Sequence, residues 1–337
     1  MPSFNSSKFI GETIESIIHQ SHSNWELIII DDGSEDNTVK IIQKFISNES
    51  RIKLIQRNIN PKGAPTCRNI GIENSNGNYI IFLDSDDILA NWCLESRLKH
   101  FKENKNCHFL VFQTLIFHST LLDSKILWNK LKGDHDLERF SKSDNIWQTS
   151  SVIWKKEALI KLNYWDVSLK CWQDWELHLR ALIRAFSYKK IDAIPDSFYR
   201  KPERPNENSI SNQKNLSEYW NNVAYAVIKI SNISPKNIKI NLASIIFKHS
   251  MVLMVNKETF NGFKYITYLS KINLKYFFIC FTHLLIKFII LKLVGIDSKL
   301  FNSRLLLSKD LIETNSTYLK VNLNERDFNE LKSKISD

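Results

Sequence analysis

The chain of 337 residues is poor in the two residue types that break regular structure, with 8 Gly and 7 Pro. That scarcity excludes a collagen-like or low-complexity chain. It also lacks any cysteine pattern. Cys67, Cys93, Cys107, Cys171 and Cys280 form no C-x-x-C pair, and an odd, scattered set reads as free thiols in a reducing compartment. No secretory signal opens the sequence, because its first residues are polar and its first apolar stretch is amphipathic, so a cytoplasmic location is expected. No G-x-G-x-x-G follows a strand and no P-loop occurs, which removes dinucleotide dehydrogenases and P-loop enzymes. The most apolar run, 276–296, is broken by His283, Lys287 and Lys292 and falls short of a clean spanning helix.

What is present is material for a core and an uneven charge. Hydrophobic residues make up 43% and aromatics 12%, enough for one large domain with an appendage or two modest domains. The net charge is +10, yet residues 213–337 hold 18 Lys and Arg against 9 Asp and Glu, while residues 1–212 hold 28 against 27. The basicity therefore sits in the tail. A nucleic-acid partner is not expected, because the tail's aromatics lie in apolar runs and are not interleaved with Arg.

The first hundred residues alternate in period. Ile10, Ile14, Ile17 and Ile18 share one helical face, with Ser6 or Ser7 as candidate caps. Trp25–Ile30 is a short β-branched run suited to a strand buried on both faces. A second helix, capped by Asp36 or Ser34, carries Val39, Ile42, Phe45 and Ile46. Strand 52–55, helix 64–75, a buried strand Tyr79–Leu83, helix 90–103 and strand Phe109–Phe112 follow. This βαβαβα order predicts an open, mostly parallel sheet flanked by helices, with ligands beyond the carboxyl ends of the strands. Such a fold needs a strand feeding the first helix. Met1–Asn5 leave almost none, so its start is expected upstream of Met1. The aromatic mixture over 134–175 suits a second small sheet, the Pro- and Asn-rich stretch to Asn215 a loop, and 217–337 helices.

Four clusters carry chemistry. Asp84, Asp86 and Asp87 put three carboxylates within four residues at a strand's end. Their repulsion is relieved by a hard divalent cation on diphosphate oxygens, or the segment is a solvated turn capping the next helix. Asp31-Asp32-Gly33-Ser34 ends another strand, where a carboxylate accepts hydrogen bonds from a nucleobase or ribose, or simply makes a turn. Arg68 pairs with a base carbonyl or phosphate, or is a surface residue. Asp174 opens a helix, whose dipole is expected to keep it ionised as a general base requires; a purely electrostatic use is the alternative. His178, one turn on, reads as a packing or surface histidine.

In this order and spacing the clusters resemble the family 2 glycosyltransferases. The likeness runs from residue 2 to about 211, through Pro2-Ser3-Phe4-Asn5, Gln20-Ser21 with Trp25-Glu26, Asp31 to Thr38, Gly63 to Gly71, Asp84 to Asp87, Gln173-Asp174, and Tyr199-Arg200 with Ser209-Ile210-Ser211. Cys67 stands where the family has Ala, and Gln173 where it has Glu. The resemblance implies a GT-A fold over 1–212, its first strand cut short, and a helical appendage over 213–337. It implies an inverting transfer from a nucleotide-diphosphate sugar, a UDP-sugar favoured, to a glycan or lipid-linked hydroxyl in bacterial surface polysaccharide synthesis. Asp32 would hold the base, with Pro2 and Phe4 lining its pocket and Arg68 nearby. Asp84 and Ser85 would meet the donor, Asp86 would bind Mg²⁺ or Mn²⁺, and Asp174 would deprotonate the acceptor. A sugar nucleotidyltransferase would need a Gly-rich basic loop near the start, which Met1–Gly11 lack. A nucleotide-sugar-binding protein with impaired catalysis is the alternative. Lysines spaced along 276–296 suit an interfacial helix on an anionic membrane, placing the enzyme peripherally on the cytoplasmic face of the inner membrane; a packed helical appendage is the other reading.

Overall fold

The computed structural model describes residues 1–128, 130–201, 216–255, 259–282, 285 and 321–336. The chain opens with β1 (Pro2–Ser3), α1 (Ile10–Ile18), β2 (Leu27–Asp31), α2 (Thr38–Ile46), β3 (Ile52–Gln56) and α3 (Ala64–Asn74). It continues through β4 (Tyr79–Ile81), β5 (Ile88–Leu89), α4 (Cys93–Glu103), β6 (Phe109–Val111), β7 (Thr114–Phe117) and α5 (Asp136–Ser141). Then come β8 (Val152–Lys155), α6 (Lys156–Lys161), α7 (Gln173–Ile183), β9 (Tyr188–Lys190) and β10 (Ser197–Arg200). Among the described residues beyond these stand α8 (Leu216–Ile233), α9 (Lys236–Val255), α10 (Thr259–Ile266) and α11 (Glu325–Ser336).

Three sheets form, in the orders β1-β2-β3, β4-β8-β6-β9 and β5-β10-β7. The first is wholly parallel, as short strands joined by helical crossovers must be. In the others β8 runs antiparallel to β4 and β6, and β10 antiparallel to β5, while β6–β9 and β7–β10 are parallel. The aromatic stretch 134–175 therefore does not make a sheet of its own. Its strand β8 is inserted between β4 and β6, where Trp154 faces Phe109 and Ile80.

Local details depart from expectation with clear causes. Neither Ser6 nor Ser7 caps α1 by its side chain; the Ser6 carbonyl takes the Phe9 and Ile10 N–H groups at 3.0 Å each. The first strand is present as two residues, Pro2 opposite Ile30 and Ser3 opposite Asp31. β4 does not reach Leu83 and is not buried, with Tyr79 39% exposed. One edge of β4 pairs with β8, and a cavity of about 630 Å³ lies between β4 and β2, lined by Ile17, Leu27, Ile28, Ile80 and Phe82. Met1 sits at this cavity, its ammonium donating to the Ile28 carbonyl at 2.9 Å.

The main core is aromatic. Trp147, Trp154 and Trp175 are fully buried in one cluster with Phe109 and Phe140. The same cluster takes in Trp220, Val223 and Val227 of α8 and Leu242 and Ile246 of α9. A single interior thus runs across the expected boundary at 212/213, and those two residues lie outside the described ones. α11 packs Phe328 and Leu331 against Leu115, Phe117 and Phe198 in a separate cluster. Among the described residues no helix is long and apolar enough to cross a membrane.

Candidate active site

The segment after β2 clasps the segment after β1. Asp31 accepts from the Ser34 N–H at 2.9 Å and from the Ser34 hydroxyl at 2.5 Å, closing an Asx turn. Gly33 makes the turn with φ +83°, a region where a side chain would be strained and would press on Asn58 and Lys62. Asn5 donates its N–H to Ser34 Oγ and accepts from the Glu35 N–H, both at 2.9 Å. Asp36 accepts from the N–H groups of Ser7 and Thr38. Burial pushes Asp36 upward, but these bonds prevail and hold it at about 2. Much of this acidic motif is therefore spent on holding the loop.

Asp32 is buried with both oxygens engaged, one by Arg57 Nη1 and the other by the Gly63 N–H at 2.6 Å. Arg57 in turn donates to the Ile59 and Pro61 carbonyls, which fixes the loop carrying Lys62. Phe4 is 55% exposed with Lys62 Nζ 5.8 Å from its ring centre, and Pro2 is half-buried.

Arg68, on the inner face of α3, pairs with Asp84 at 2.6 Å and lies 4.4 Å from the centre of the Trp165 ring. Its neighbour Asn69 brackets the Trp165 backbone, donating to its carbonyl and accepting from its N–H at 2.9 Å each. Ser85 Oγ meets Ser6 Oγ at 2.7 Å, tying the acidic turn to the clasp.

Beyond the Arg68–Asp84 pair, the turn Asp84–Asp87 gathers its remaining negative charge about Arg200. Arg200 gives its N–H to Asp87 Oδ1, its Nε–H to the Asp86 carbonyl and its Nη2–H to Glu12, and its guanidinium lies 4.5 Å from Phe9 and Phe117. Burial, then the charge of Asp84, raises Asp86 to about 6. Burial and both neighbours push Asp87 far up, and its Oδ2 is buried with no partner among the described residues. This is a donor set of hard oxygens short of positive charge, which suits Mg²⁺ or Mn²⁺. It is small, since among the described residues no three His, Cys, Asp or Glu side chains converge as a complete metal cage. The fit is to an ion that takes one or two carboxylates and its remaining ligands from a diphosphate.

Asp174 stands in the first turn of α7. Burial raises its pKa, against its own helix's N–H groups and the Arg68 charge, and the Asp84 charge raises it further. Desolvation thus outweighs the helix dipole, which on its own favours the ionised form. The same result places Asp174 within electrostatic reach of both Arg68 and Asp84. His178 is a packing residue, buried, stacked 4° from parallel on Trp154 and held neutral by burial with a pKa of about 3.

The structure therefore brings Arg68, Asp84, Ser85, Asp86 and Asp174 into one region, while Asp32 is locked by Arg57 and Phe4 stands out in solvent. Sequence reasoning missed Arg57 and Trp165. Arg57 had a signal, being the first residue beyond β3 at the carboxyl edge where ligands gather. Trp165 had none, because its meeting with Arg68 spans almost a hundred positions.

A chain with this α/β order and this acidic edge carries the GT-A fold. Staphylococcus aureus TarS 1-349, crystallised in complex with UDP-GlcNAc, superposes with a TM-score of 0.63 over 80% of either chain at 17% identity. Residues 1–158 match the profile of Glycosyl transferase family 2. The putative teichuronic acid biosynthesis glycosyltransferase TuaG of Bacillus subtilis is 39% identical over 108 residues, 32% of this chain and 42% of the relative. Escherichia coli WfgD, a UDP-Glc:alpha-D-GlcNAc-diphosphoundecaprenol beta-1,3-glucosyltransferase, is 36% identical over 137 residues, 39% of this chain and 53% of the relative. The chain spans about half or less of the length of these curated relatives.

Proposed function

We propose that the chain is an inverting glycosyltransferase, moving a sugar from a nucleotide-diphosphate donor, a UDP-sugar favoured, to a hydroxyl of a glycan or lipid-linked acceptor. The observation that carries this reading is the electrostatic meeting of Asp174 with the Arg68–Asp84 pair, next to the charge-rich Asp86. Asp174 takes the acceptor's proton; the desolvation that raises its pKa makes its carboxylate form a stronger base. The acceptor oxygen bonds to the anomeric carbon as the bond to the diphosphate breaks, and the electron pair leaves with the nucleotide. One base, with Asp84 and Asp86 assigned to the donor side, is the inventory for a single inverting displacement. Arg68 steadies Asp84 on the ribose side, and Asp32, fixed by Arg57, stands with Pro2 and Phe4 on the base side. Asp86, with Asp84, is the residue that would hold Mg²⁺ or Mn²⁺, which supplies positive charge to the departing diphosphate.

Mn²⁺-dependent hydrolysis across a panel of nucleotide-sugars tests the reading. A donor turned over by the native chain, and bound but not turned over after Asp174→Asn, is the expected result. Equal turnover by both proteins would remove Asp174 from the base role.

Relatives named for cell-surface glycans and for a diphosphoundecaprenol acceptor support bacterial surface polysaccharide as the setting. A peripheral position on the cytoplasmic face of the membrane fits such an acceptor. Leu274, Phe278 and Ile279 are more than half exposed near the start of the apolar run, and Phe260 is 81% exposed. Residues 283, 284 and 286–296 of that run lie outside the described residues. Flotation with anionic liposomes decides this point: no binding by the full chain, or binding unchanged after deletion of 270–300, would remove the membrane contact.

A further inference from the structure

Two aromatic side chains stand beside Asp174 and take no part in the chemistry above. Trp172 lies two residues ahead of it and comes from the loop into α7. Tyr219 comes from α8, beyond the segment matched by the family profile. The Trp172 indole N–H donates to the Tyr219 hydroxyl at 3.1 Å. Behind them Trp175 and Trp220 are buried, with ring centres 5.0 Å from Trp172 and 4.8 Å from Tyr219. His249 backs both sides, 5.9 Å from Trp172 and 3.8 Å from Trp220. The front pair is only half-buried while the rear pair is closed off. A wall is therefore built from behind and open in front.

Three further features argue that this wall serves a ligand. Trp172 is held at φ 57°, ψ 31°, a left-handed conformation that costs a bulky residue energy and persists where the surroundings impose it. The Tyr219 hydroxyl is occupied as an acceptor by the indole, and among the described residues no group takes its proton, which leaves it to donate outward. Through its bond to Trp172, two residues ahead of Asp174, Tyr219 is tied to the segment that carries the carboxylate; burial raises the Tyr219 pKa against that bond, and the charges of Cys171 and Asp174 add to the rise. A pyranose ring has an apolar face of axial C–H groups and a rim of hydroxyls. Half-open rings with one outward hydroxyl match both parts.

We propose that Trp172 and Tyr219 form the subsite for the acceptor's terminal sugar, a pyranose stacked by its apolar face and hydrogen-bonded by the Tyr219 hydroxyl, with a ring hydroxyl facing Asp174. This rests on the transferase reading. It makes the helical C-terminal region part of the site, since Tyr219 belongs to α8.

Saturation-transfer NMR of the full chain with methyl β-D-glucopyranoside as the probe tests the subsite without any turnover. The expected result is transfer strongest at the axial ring protons, lost in Trp172→Asn, which tolerates the left-handed backbone but has no ring. Tyr219→Phe keeps the ring and should weaken binding by about tenfold or less, the scale of one such contact. UDP affinity by titration calorimetry should stay at the native value in both variants, which also shows that they fold. No transfer to the probe in the native chain, or transfer unchanged in Trp172→Asn, overturns the subsite. Failure of the native chain to bind UDP or hydrolyse any nucleotide-sugar overturns the transferase reading instead, and the NMR result still decides whether the wall binds a pyranose.

Discussion

Two regions of the molecule treat buried charge in opposite ways. In one, the buried acids Asp196, Glu176 and Asp136 each meet a cation. Arg97 grips Asp196 through two bonds of 2.8 and 2.6 Å and gives a third to the Ser150 carbonyl. Arg180 grips Glu176 and braces the Leu162 and Tyr164 carbonyls, and Lys190 meets Asp136 at 2.8 Å. At the carboxyl edge, Asp84, Asp86, Asp87 and Asp174 share, among the described residues, Arg68 and Arg200. The first region is complete as it stands, and its pairs are structural. The second carries surplus negative charge in a desolvated place, which folding alone disfavours. A fold keeps such a deficit where something positive, or a proton in transit, is to be received.

The contrast can be broken at its functional end most forcefully. Asp174→Asn should lower transfer by roughly 10²–10⁴-fold, the range of a general base, with nucleotide affinity retained by calorimetry. Next in size, Arg97→Met should strand Asp196 in the interior and cost about 3–5 kcal/mol in chemical denaturation.

Asp86→Asn should act with the opposite sign on stability. The folded-state pKa of about 6 lies above the usual carboxylate value, so the folded chain holds that proton more tightly than the unfolded one. The stability this protonation supplies is present below about pH 4 and fades as the pH rises through 6. Metal-free Asp86→Asn should therefore exceed the native chain by about 1–3 kcal/mol at pH 7, with the gap closing as pH falls, and should lose Mn²⁺-dependent donor binding. A native chain that is the more stable at pH 7 would show that the acidic turn carries no surplus charge.

The smallest effect belongs to the aromatic core. His178 is held neutral with a pKa of about 3, so its contribution is complete above its ordinary value and drains away as pH falls from about 6.5 toward 3. His178→Phe should lessen acid destabilisation by about 1–2 kcal/mol at pH 5, read as a shallower slope of stability against pH.

Most of the edge was legible before any coordinates. The face of Ile10, Ile14 and Ile17, the β-branched run ending at Asp31 and the cluster at Asp84–Asp87 are short-range patterns, and periodicity reads those well. What failed needed neighbours distant in sequence. Nothing in the 134–175 stretch says that Val152–Lys155 will slide between β4 and β6. The helix dipole at Asp174 is a local quantity, whereas the desolvation that overrides it comes from the whole surrounding wall. The same holds for Asp32, legible as an acid at a strand end but not as the partner of Arg57.

The tryptophan-rich interior shared with α8 and α9 has a practical consequence. A fragment trimmed near residue 201, the obvious minimal enzyme on family resemblance, would strip one side from Trp175 and lay open a large greasy surface. It should express as aggregate rather than as a smaller working enzyme. Engineers seeking a compact version would have to repaint that surface first, or keep the helices.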